Sequence, residues 1–345
     1  MKDILKEQKG EGNGMSQLIK LQDYVSRYEQ DIYHYSSQFV RLKKQQWFKL
    51  KQAFKEENLS DWLIGAERAA STPEKNEPIG IRRFHAKFRQ ILTGRKGEQF
   101  LPIQQEQVSR DSEQELGRFI RMLPRTEHDL KQQFLDCIFN FQLKWASSTL
   151  REKSIVNVNY MYDRRLRYFL QRFPDNCLIL YKPVFQLKNA PVELDVIMIT
   201  PTAIWCLTFL EAEEDAVFRP DKGRFWTSRH HKRADKKVLN PHISISRMER
   251  ILARILTNRE IDMPIRKGIL CRNGYIDELN TVNTEMMIDK RSYSKWFDSL
   301  RNNQSPIKNQ QLKSARALLD YCSTAYKIKI DLDEELEELD RESGF

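Results

Sequence analysis

The feature that most constrains this chain is a pair of apolar segments joined by a short turn, VELDVIMITPTAIWCLTFLEAEED, at residues 192–215. Residues 192–200 and 203–212 are rich in β-branched, aliphatic and aromatic side chains, which favour strands, and Pro201 with Thr202 marks a turn between them. The pattern therefore predicts a hairpin of two strands. Asp195 lies near the start of the first strand, and a run of acidic residues from Glu211 to Asp215 follows the second.

The second half of the chain continues as an alternation of helices and strands. A helix over 161–173 ends before Pro174, and Asn240 with Pro241 is typical of a helix start. The remaining patterns predict strands at 177–187, 223–229 and 266–271, a helix over 240–256 and a last helix near 308–326. This order predicts an α/β layered core within residues 151–330.

The first 150 residues show a different pattern. Residues 1–14 are polar and glycine-rich, which is typical of a disordered arm. From Leu18 to Leu42 apolar residues recur at alternating spacings of three and four, and neither Pro nor Gly interrupts residues 16–64, so we expect a helix of roughly 40 residues. Its apolar stripe suits packing against neighbouring helices, which we favour, or a coiled-coil dimer. Further helices are expected at 81–92, 112–123 and 126–150, making residues 15–150 an all-helical region.

Charge is distributed unevenly along the chain. The net formal charge is +10 overall, made up of +5 for residues 1–150, +12 for residues 151–330 and −7 for the acidic tail, residues 331–345. A basic body indicates a polyanionic partner, although a generally charged, solvated surface explains it as well. The tail has two interpretations: a flexible acidic arm that competes with polyanions for the basic body, or the solvated end of a helix.

Cysteine usage and hydropathy limit the class of protein. The five cysteines are far apart and include no Cys-x-x-Cys pair, which argues against a disulfide framework and a zinc site and favours a reducing compartment. No run of ~18 apolar residues occurs, and the N-terminus has no apolar signal core. We therefore expect a cytoplasmic protein with no membrane partner.

Four stretches occur in the order found in one nuclease family, and each lies at an expected strand or helix: LILYKPVF, VELDVIMITPTAIWCL, GRFW and NPHISISRMERIL. On these stretches residues 155–275 resemble the nuclease-related domain (NERD), a bacterial family within the PD-(D/E)xK nuclease superfamily. The resemblance implies a restriction-endonuclease-like mixed-sheet core. It leaves the helical N-terminal region unaccounted for.

The resemblance also implies a catalytic motif, and this chain departs from it. Such nucleases hold Mg²⁺ with an Asp, here Asp195, and with an acid in the next strand that is followed two residues later by a Lys. Aligning IWCL with the family's apolar run puts Thr208 at the acid position and Leu210 at the Lys position. A further acid in the first helix corresponds loosely to Asp163, and Ser244 replaces an expected Gln. The resemblance therefore implies a degraded catalytic site.

An alternative keeps the catalytic site. If the third strand slips by three residues, Glu211 takes the acid position and could bind Mg²⁺ together with Asp195, although a Glu would still replace the Lys. The slip is odd-numbered, so it would turn Glu211 to the opposite face of the strand. The register of IWCL predicts instead that Thr208 lies near Asp195.

The most basic stretch, residues 219–237, contains eight Lys or Arg and two acidic residues. Phe225 and Trp226 interleave its cations, so it suits a phosphate backbone with a stacked base. The alternative is an exposed basic loop with Trp226 in the core. The residues predicted to contact nucleic acid are Arg224, Trp226, Arg229, Lys232, Arg233, Lys236 and Lys237.

Three hypotheses follow from the sequence. The first is a NERD-like, nuclease-derived protein that is catalytically impaired and binds nucleic acid or a protein partner. The second is an active Mg²⁺-dependent nuclease with an altered site built from Asp163, Asp195 and Glu211. The third is a protein-interaction scaffold whose working part is the helical N-terminal region. No cofactor is expected, except Mg²⁺ if the chain is an active nuclease.

Overall fold

The computed structural model describes residues 15–56, 59, 123–149, 151–188, 190–277, 286–303, 305–324 and 328–329. Several expectations lie outside these residues: the disordered arm at 1–14, the helices at 81–92 and 112–123, and the acidic tail at 331–345. The described residues divide into two compact units. One contains the residues up to Phe39 and from Gln142 onward, and the other contains those between Val40 and Phe141.

The helices and strands are numbered in chain order. The helices are α1 (Arg27–Gln30), α2 (Ile32–Lys55), α3 (Glu127–Trp145), a 3-10 turn (Val158–Tyr162), α4 (Arg164–Arg172), α5 (Pro241–Asn258), α6 (Tyr293–Arg301) and α7 (Asn309–Leu319). The strands are β1 (Gln17–Leu21), β2 (Glu152–Lys153), β3 (Leu178–Tyr181), β4 (Val184–Gln186), β5 (Pro191–Glu193), β6 (Val196–Ile199), β7 (Ile204–Phe209), β8 (Val217–Arg219), β9 (Phe225–His230), β10 (Arg233–Leu239), β11 (Ile265–Cys271), β12 (Tyr275–Ile276), β13 (Met286–Asp289) and β14 (Ile328–Lys329).

The main sheet has six strands in the order β1-β3-β6-β7-β11-β13. β6 is antiparallel to both of its neighbours, β3 and β7. The other three pairs, β1 with β3, β7 with β11 and β11 with β13, are parallel. The sheet is therefore mixed, and the predicted hairpin of residues 192–212 forms its centre as β6 and β7.

Burial explains why the central strands are apolar throughout. Every residue of β3 and β6 is buried, and so are the first five of the six residues of β7. Strands that are apolar on both faces need cover on both faces. Helix α4 packs on β3, α5 on β7 and β11, and α7 on β6 and α5. The predicted α/β layered core is confirmed at this level.

The described residues of the N-terminal region are largely helical, but the prediction that this region is all-helical is wrong. Gln17–Leu21 is a strand with all five residues buried, and its backbone pairs in parallel with β3. The helical pattern starts only at Arg27, where Ser26 and Glu29 form a capping box. Pairing with β3 outweighs the local helical periodicity. The predicted 40-residue helix is thereby reduced to α1 and the 24 residues of α2.

A second sheet has four strands in the order β10-β9-β8-β12. Strand β9 agrees with the expected strand at 223–229, and β10 pairs antiparallel with it. Two expected strands are divided: residues 177–187 form β3 and β4, and residues 192–200 form β5 and β6. Among the described helices, none is long and apolar enough to cross a membrane.

Candidate functional site

The residues proposed for a catalytic site lie on or beside strands β6 and β7 of the main sheet and at the start of α4. Tyr181, the last residue of β3, pairs with Val196, and Val196 pairs with Leu207 of β7. Continued by one residue, the antiparallel register of β6 and β7 sets Asp195 opposite Thr208. This is the register expected from IWCL, without the three-residue slip.

Asp195 is half-buried and has a neutral partner. The Ser244 hydroxyl, in the first turn of α5, donates a hydrogen bond of 2.7 Å to Asp195 Oδ2. The Asp195 carbonyl accepts from the Lys182 amide at 2.8 Å. Ser244 stands where the resemblance implies a Gln, so this chain replaces a longer amide by a short hydroxyl that contacts the carboxylate directly.

Asp163 is the N-cap of α4. Its Oδ1 accepts from the amides of Arg165 at 2.8 Å and Leu166 at 3.1 Å, and its Oδ2 accepts from the Tyr181 hydroxyl at 2.8 Å. Burial, together with the negative charge of Asp163, raises the pKa of Tyr181 well above its ordinary value, so the phenol remains a donor. The carboxylate of Asp163 is therefore engaged in starting the helix and anchoring it to β3.

Glu211, which follows β7 by two residues, is bound by two arginines. Its Oε1 lies 2.5 Å from Arg272 Nε and its Oε2 lies 3.5 Å from Arg165 Nε, and the side chain is 14% exposed. The Arg272 guanidinium lies 4.2 Å from the ring centre of Tyr168, and the Arg165 guanidinium lies 4.7 Å from that of Phe209. Glu211 thus neutralises two cations held over aromatic rings.

Thr208 and Leu210 occupy the positions where the resemblance implies an acid and a lysine. Both are buried, Thr208 pairs with Ile269 of β11, and the Leu210 amide donates to the Leu270 carbonyl at 2.8 Å. A threonine hydroxyl supplies no negative charge and leucine supplies no polar group, so neither replaces the acid or the lysine of a metal-dependent nuclease.

These residues do not fit the Mg²⁺ ion that the resemblance implies. In the part of the chain that the structure describes, no three His, Cys, Asp or Glu side chains come together in a way that could hold a metal. The carboxylates of Asp163, Asp195 and Glu211 each bind different partners: backbone amides and a phenol, a hydroxyl, and two guanidiniums. The proposed metal pair of Asp195 and Glu211 has no support in this geometry.

The predicted cationic residues lie on or beside the basic hairpin, which we define as β9, β10 and their connecting turn. All six are exposed: Arg224, Arg229, Lys232, Arg233, Lys236 and Lys237. Arg229 pairs with Asp235 at 2.9 Å, while Arg233 and Lys236 both bind Glu213 Oε1, at 2.8 and 2.7 Å. Lys232 and Lys237 form no ion pair with another described residue.

Glu213 is a partly exposed carboxylate whose pKa lies well below the ordinary value. The hydrogen bond from Lys236, followed by a backbone hydrogen bond and the charges of Lys236 and Arg233, lowers its pKa to about 2. It connects the loop after β7 to β10 and holds two of the hairpin's cations.

The predicted role of Trp226 in stacking a base is wrong. Its side chain is fully buried and its ring lies 5.1 Å from that of His242. The neighbouring Phe225 points the opposite way along the strand and is 46% exposed. The aromatic residue available to a ligand is therefore Phe225, which the sequence pattern alone does not distinguish from Trp226.

The chain is similar over part of its length to a protein from Geobacillus stearothermophilus named RNA 2′,3′-cyclic phosphodiesterase. The identity is 37% over 131 residues, which is 38% of this chain, and the chain spans 37% of the length of that relative. No family model matches the chain, and no solved structure matches it.

Proposed function

We propose that this chain is a NERD-like, nuclease-derived protein that binds nucleic acid through the basic hairpin and has lost metal-dependent cleavage. The observation that carries the proposal is the exposure of six cationic side chains on and beside one hairpin. Such a surface attracts the phosphates of nucleic acid by Coulomb forces, and binding releases the counterions that had been associated with those phosphates.

The order of elements supports a nuclease-derived core. Helix α4 is followed by the antiparallel strands β3, β6 and β7, then by α5 and the parallel strand β11. This is the order in which the sequence resembles the nuclease-related domain, and it is compatible with a restriction-endonuclease-like mixed sheet. None of the five cysteines forms a disulfide and four of them are buried, which is compatible with the cytoplasmic setting that we propose.

The contacts of the former catalytic residues support the loss of cleavage. To act as an altered nuclease, the chain would need Glu211 to leave Arg272 and Arg165 and Asp163 to leave the start of α4. Leu210 would still offer no group that activates water. Loss of such a group costs on the order of 10²–10⁴ in rate.

The partial relative makes RNA the first polyanion to test. Its name refers to the cyclic phosphate end of RNA. We therefore include RNA ending in a 2′,3′-cyclic phosphate among the ligands, beside RNA with an ordinary end and DNA of the same sequence.

The test is a titration of labelled oligonucleotides at salt concentrations from about 50 to about 200 mM. We expect affinity to fall steeply with salt, and the triple substitution Arg229→Ala, Lys232→Ala and Arg233→Ala to flatten the log–log slope by up to about two or three units. The matched control removes three exposed cations elsewhere: Lys44→Ala, Arg254→Ala and Lys313→Ala.

Three results would overturn the proposal. Undetectable binding at low salt, or equal losses in the triple variant and its control, would favour the interaction scaffold based on the helical N-terminal region. Robust Mg²⁺-stimulated cleavage of DNA or RNA that disappears on Asp195→Asn would favour the active nuclease.

A further inference from the structure

The four-stranded sheet has one covered face and one open face. Side chains of alternate residues point to opposite faces of a strand. On the covered face Phe218, Trp226, Ser228 and Ile276 are all buried. Phe225 and Thr227 alternate with Trp226 and Ser228 along β9 and point outward, as do their partners Leu239 and Lys237 on β10. Leu239, at 53%, is the most exposed apolar side chain of the sheet.

The strand register fixes which outward residues are neighbours. Leu239 of β10 pairs with Phe225 of β9, and this forms an apolar row. In the adjacent row Thr227 of β9 pairs with Lys237 on one side and with Arg219 of β8 on the other. Two residues along a strand span about 7 Å, so the apolar row and the basic row lie side by side.

Further charges border the apolar row. The Arg224 guanidinium lies 5.9 Å from the ring centre of Phe225, and Arg229 lies two residues beyond Thr227 on the same face. Among the described residues, two acids pair with cations of this face, Asp235 at 2.9 Å from Arg229 and Asp277 at 3.5 Å from Arg219. Both pairs are about half exposed, so water and salt weaken them. Four cations against two acids leave the face with a net positive charge.

We propose that this open face is a stacking platform for single-stranded nucleic acid, with Phe225 as the residue on which a base stacks. The inference rests on the proposed function. It adds that single-stranded nucleic acid is preferred over duplex and that Phe225 is the residue responsible for this preference. An exposed aromatic ring between cations suits an unpaired base, whose face is apolar and whose phosphate is anionic. A duplex keeps its base faces inside the stack, so it would contact the cations alone.

The charges argue for this ligand over an apolar protein surface. A partner that covered Phe225 and Leu239 with apolar side chains would also have to desolvate Arg219, Arg224 and Lys237 without neutralising them. A single strand covers the ring and supplies phosphates to the cations at the same time.

The test compares single-stranded and duplex oligonucleotides of one sequence on the full chain, with fluorescence anisotropy as the readout. Phe225→Ala should weaken single-strand binding about 5- to 100-fold and leave duplex binding and both salt slopes unchanged, because the ring contacts a base and no phosphate. Phe225→Trp should retain single-strand affinity. The control, Phe48→Ala, removes another exposed aromatic side chain and should have no effect.

The outcomes separate this inference from the proposed function. If neither strand form binds at low salt, the proposed function fails and this inference fails with it. If both forms bind with steep salt dependence but Phe225→Ala and Phe48→Ala behave alike, the basic hairpin binds nucleic acid and the stacking platform is wrong. A thermal unfolding curve for each variant checks that Phe225→Ala retains the fold.

Discussion

At the scale of single residues, Glu211 shows how a partly buried carboxylate just after a sheet strand stabilises the fold. It follows β7, Arg272 follows β11, and Arg165 belongs to α4, so one carboxylate connects three elements. Burial acts to lower the pKa of Arg272, but the hydrogen bond and charge of Glu211 raise it above the ordinary value. Arg272 therefore stays charged and depends on Glu211 for compensation.

We expect Glu211→Gln to lower the free energy of unfolding by about 1–3 kcal/mol, because a partly buried guanidinium loses its charged partner. Chemical denaturation measures this change. Glu193→Gln, at an exposed position of β5, is the control and should change stability by less than about 0.5 kcal/mol.

The same variant distinguishes a structural role from a metal-binding one. If Glu211 were a metal ligand, Mg²⁺ would stabilise the unaltered protein and this stabilisation would disappear in Glu211→Gln. We expect Mg²⁺ to shift the unfolding of both proteins equally.

The residues of the candidate site were only partly predictable from the sequence. The positions of Thr208 and Leu210 on β7 follow from the sequence IWCL, because the alternation of side chains along a strand is a local property. The partners of Glu211 were not predictable, since Arg165 and Arg272 lie far from it in the sequence and are brought to it by the fold. Which of Phe225 and Trp226 is exposed depends on which face of β9 is covered. Two adjacent aromatic residues in a sequence do not show which face that is.

At the scale of elements, the basic hairpin is bound by Glu213, an anion that lies outside it. Glu213 binds Arg233 and Lys236 of β10, and its pKa of about 2 keeps it charged. The folded pKa lies below the ordinary carboxyl value, so the tether is fully present above about pH 4.5 and is lost as the pH falls towards 2. At neutral pH Glu213 therefore competes with any phosphate for these two cations.

Glu213→Gln should tighten nucleic-acid binding and steepen the log–log salt slope by up to about two units, because Arg233 and Lys236 become available to phosphates. Glu214→Gln is the matched control, since it removes one negative charge from the adjacent, exposed position. Titration over a series of salt concentrations measures both variants. Equal effects in the two variants would mean that net charge alone acts, and that Glu213 does not withhold these cations.

Helices and strands were predictable where the spacing of apolar residues fits only one kind of element. They were not predictable where contacts distant in the sequence decide the structure. Strands β6, β7 and β11 and helix α5 lie close to their expected positions, because their apolar runs and the Asn-Pro start are strong local signals. β1 was predicted as helix because its apolar spacing also fits a helix, and only pairing with β3 decides. β10 was missed because nearly all of its residues are exposed, so it has no apolar alternation.

At the scale of the whole molecule, the chain's charge is divided between a basic body and an acidic end. Residues 151–330 carry a net charge of +12 and residues 331–345 a net charge of −7, from eight acids and one arginine. Opposite charges on one chain attract at distances up to the Debye length, about 8–10 Å at moderate salt. A tail of this composition raises the local concentration of carboxylates that compete with phosphates for the body.

Deletion of residues 331–345 changes the net charge from +10 to +17 and should tighten nucleic-acid binding, most strongly at low salt where screening is weakest. A full-length variant with all eight tail acids replaced by Asn or Gln is the control that separates charge from length. If charge acts, both variants gain the same affinity over the unaltered chain, and the gain shrinks as salt rises. If only the deletion increases the affinity, the effect is due to the bulk of the tail and not to its charge. If neither variant increases the affinity, the acidic end does not shield the basic hairpin.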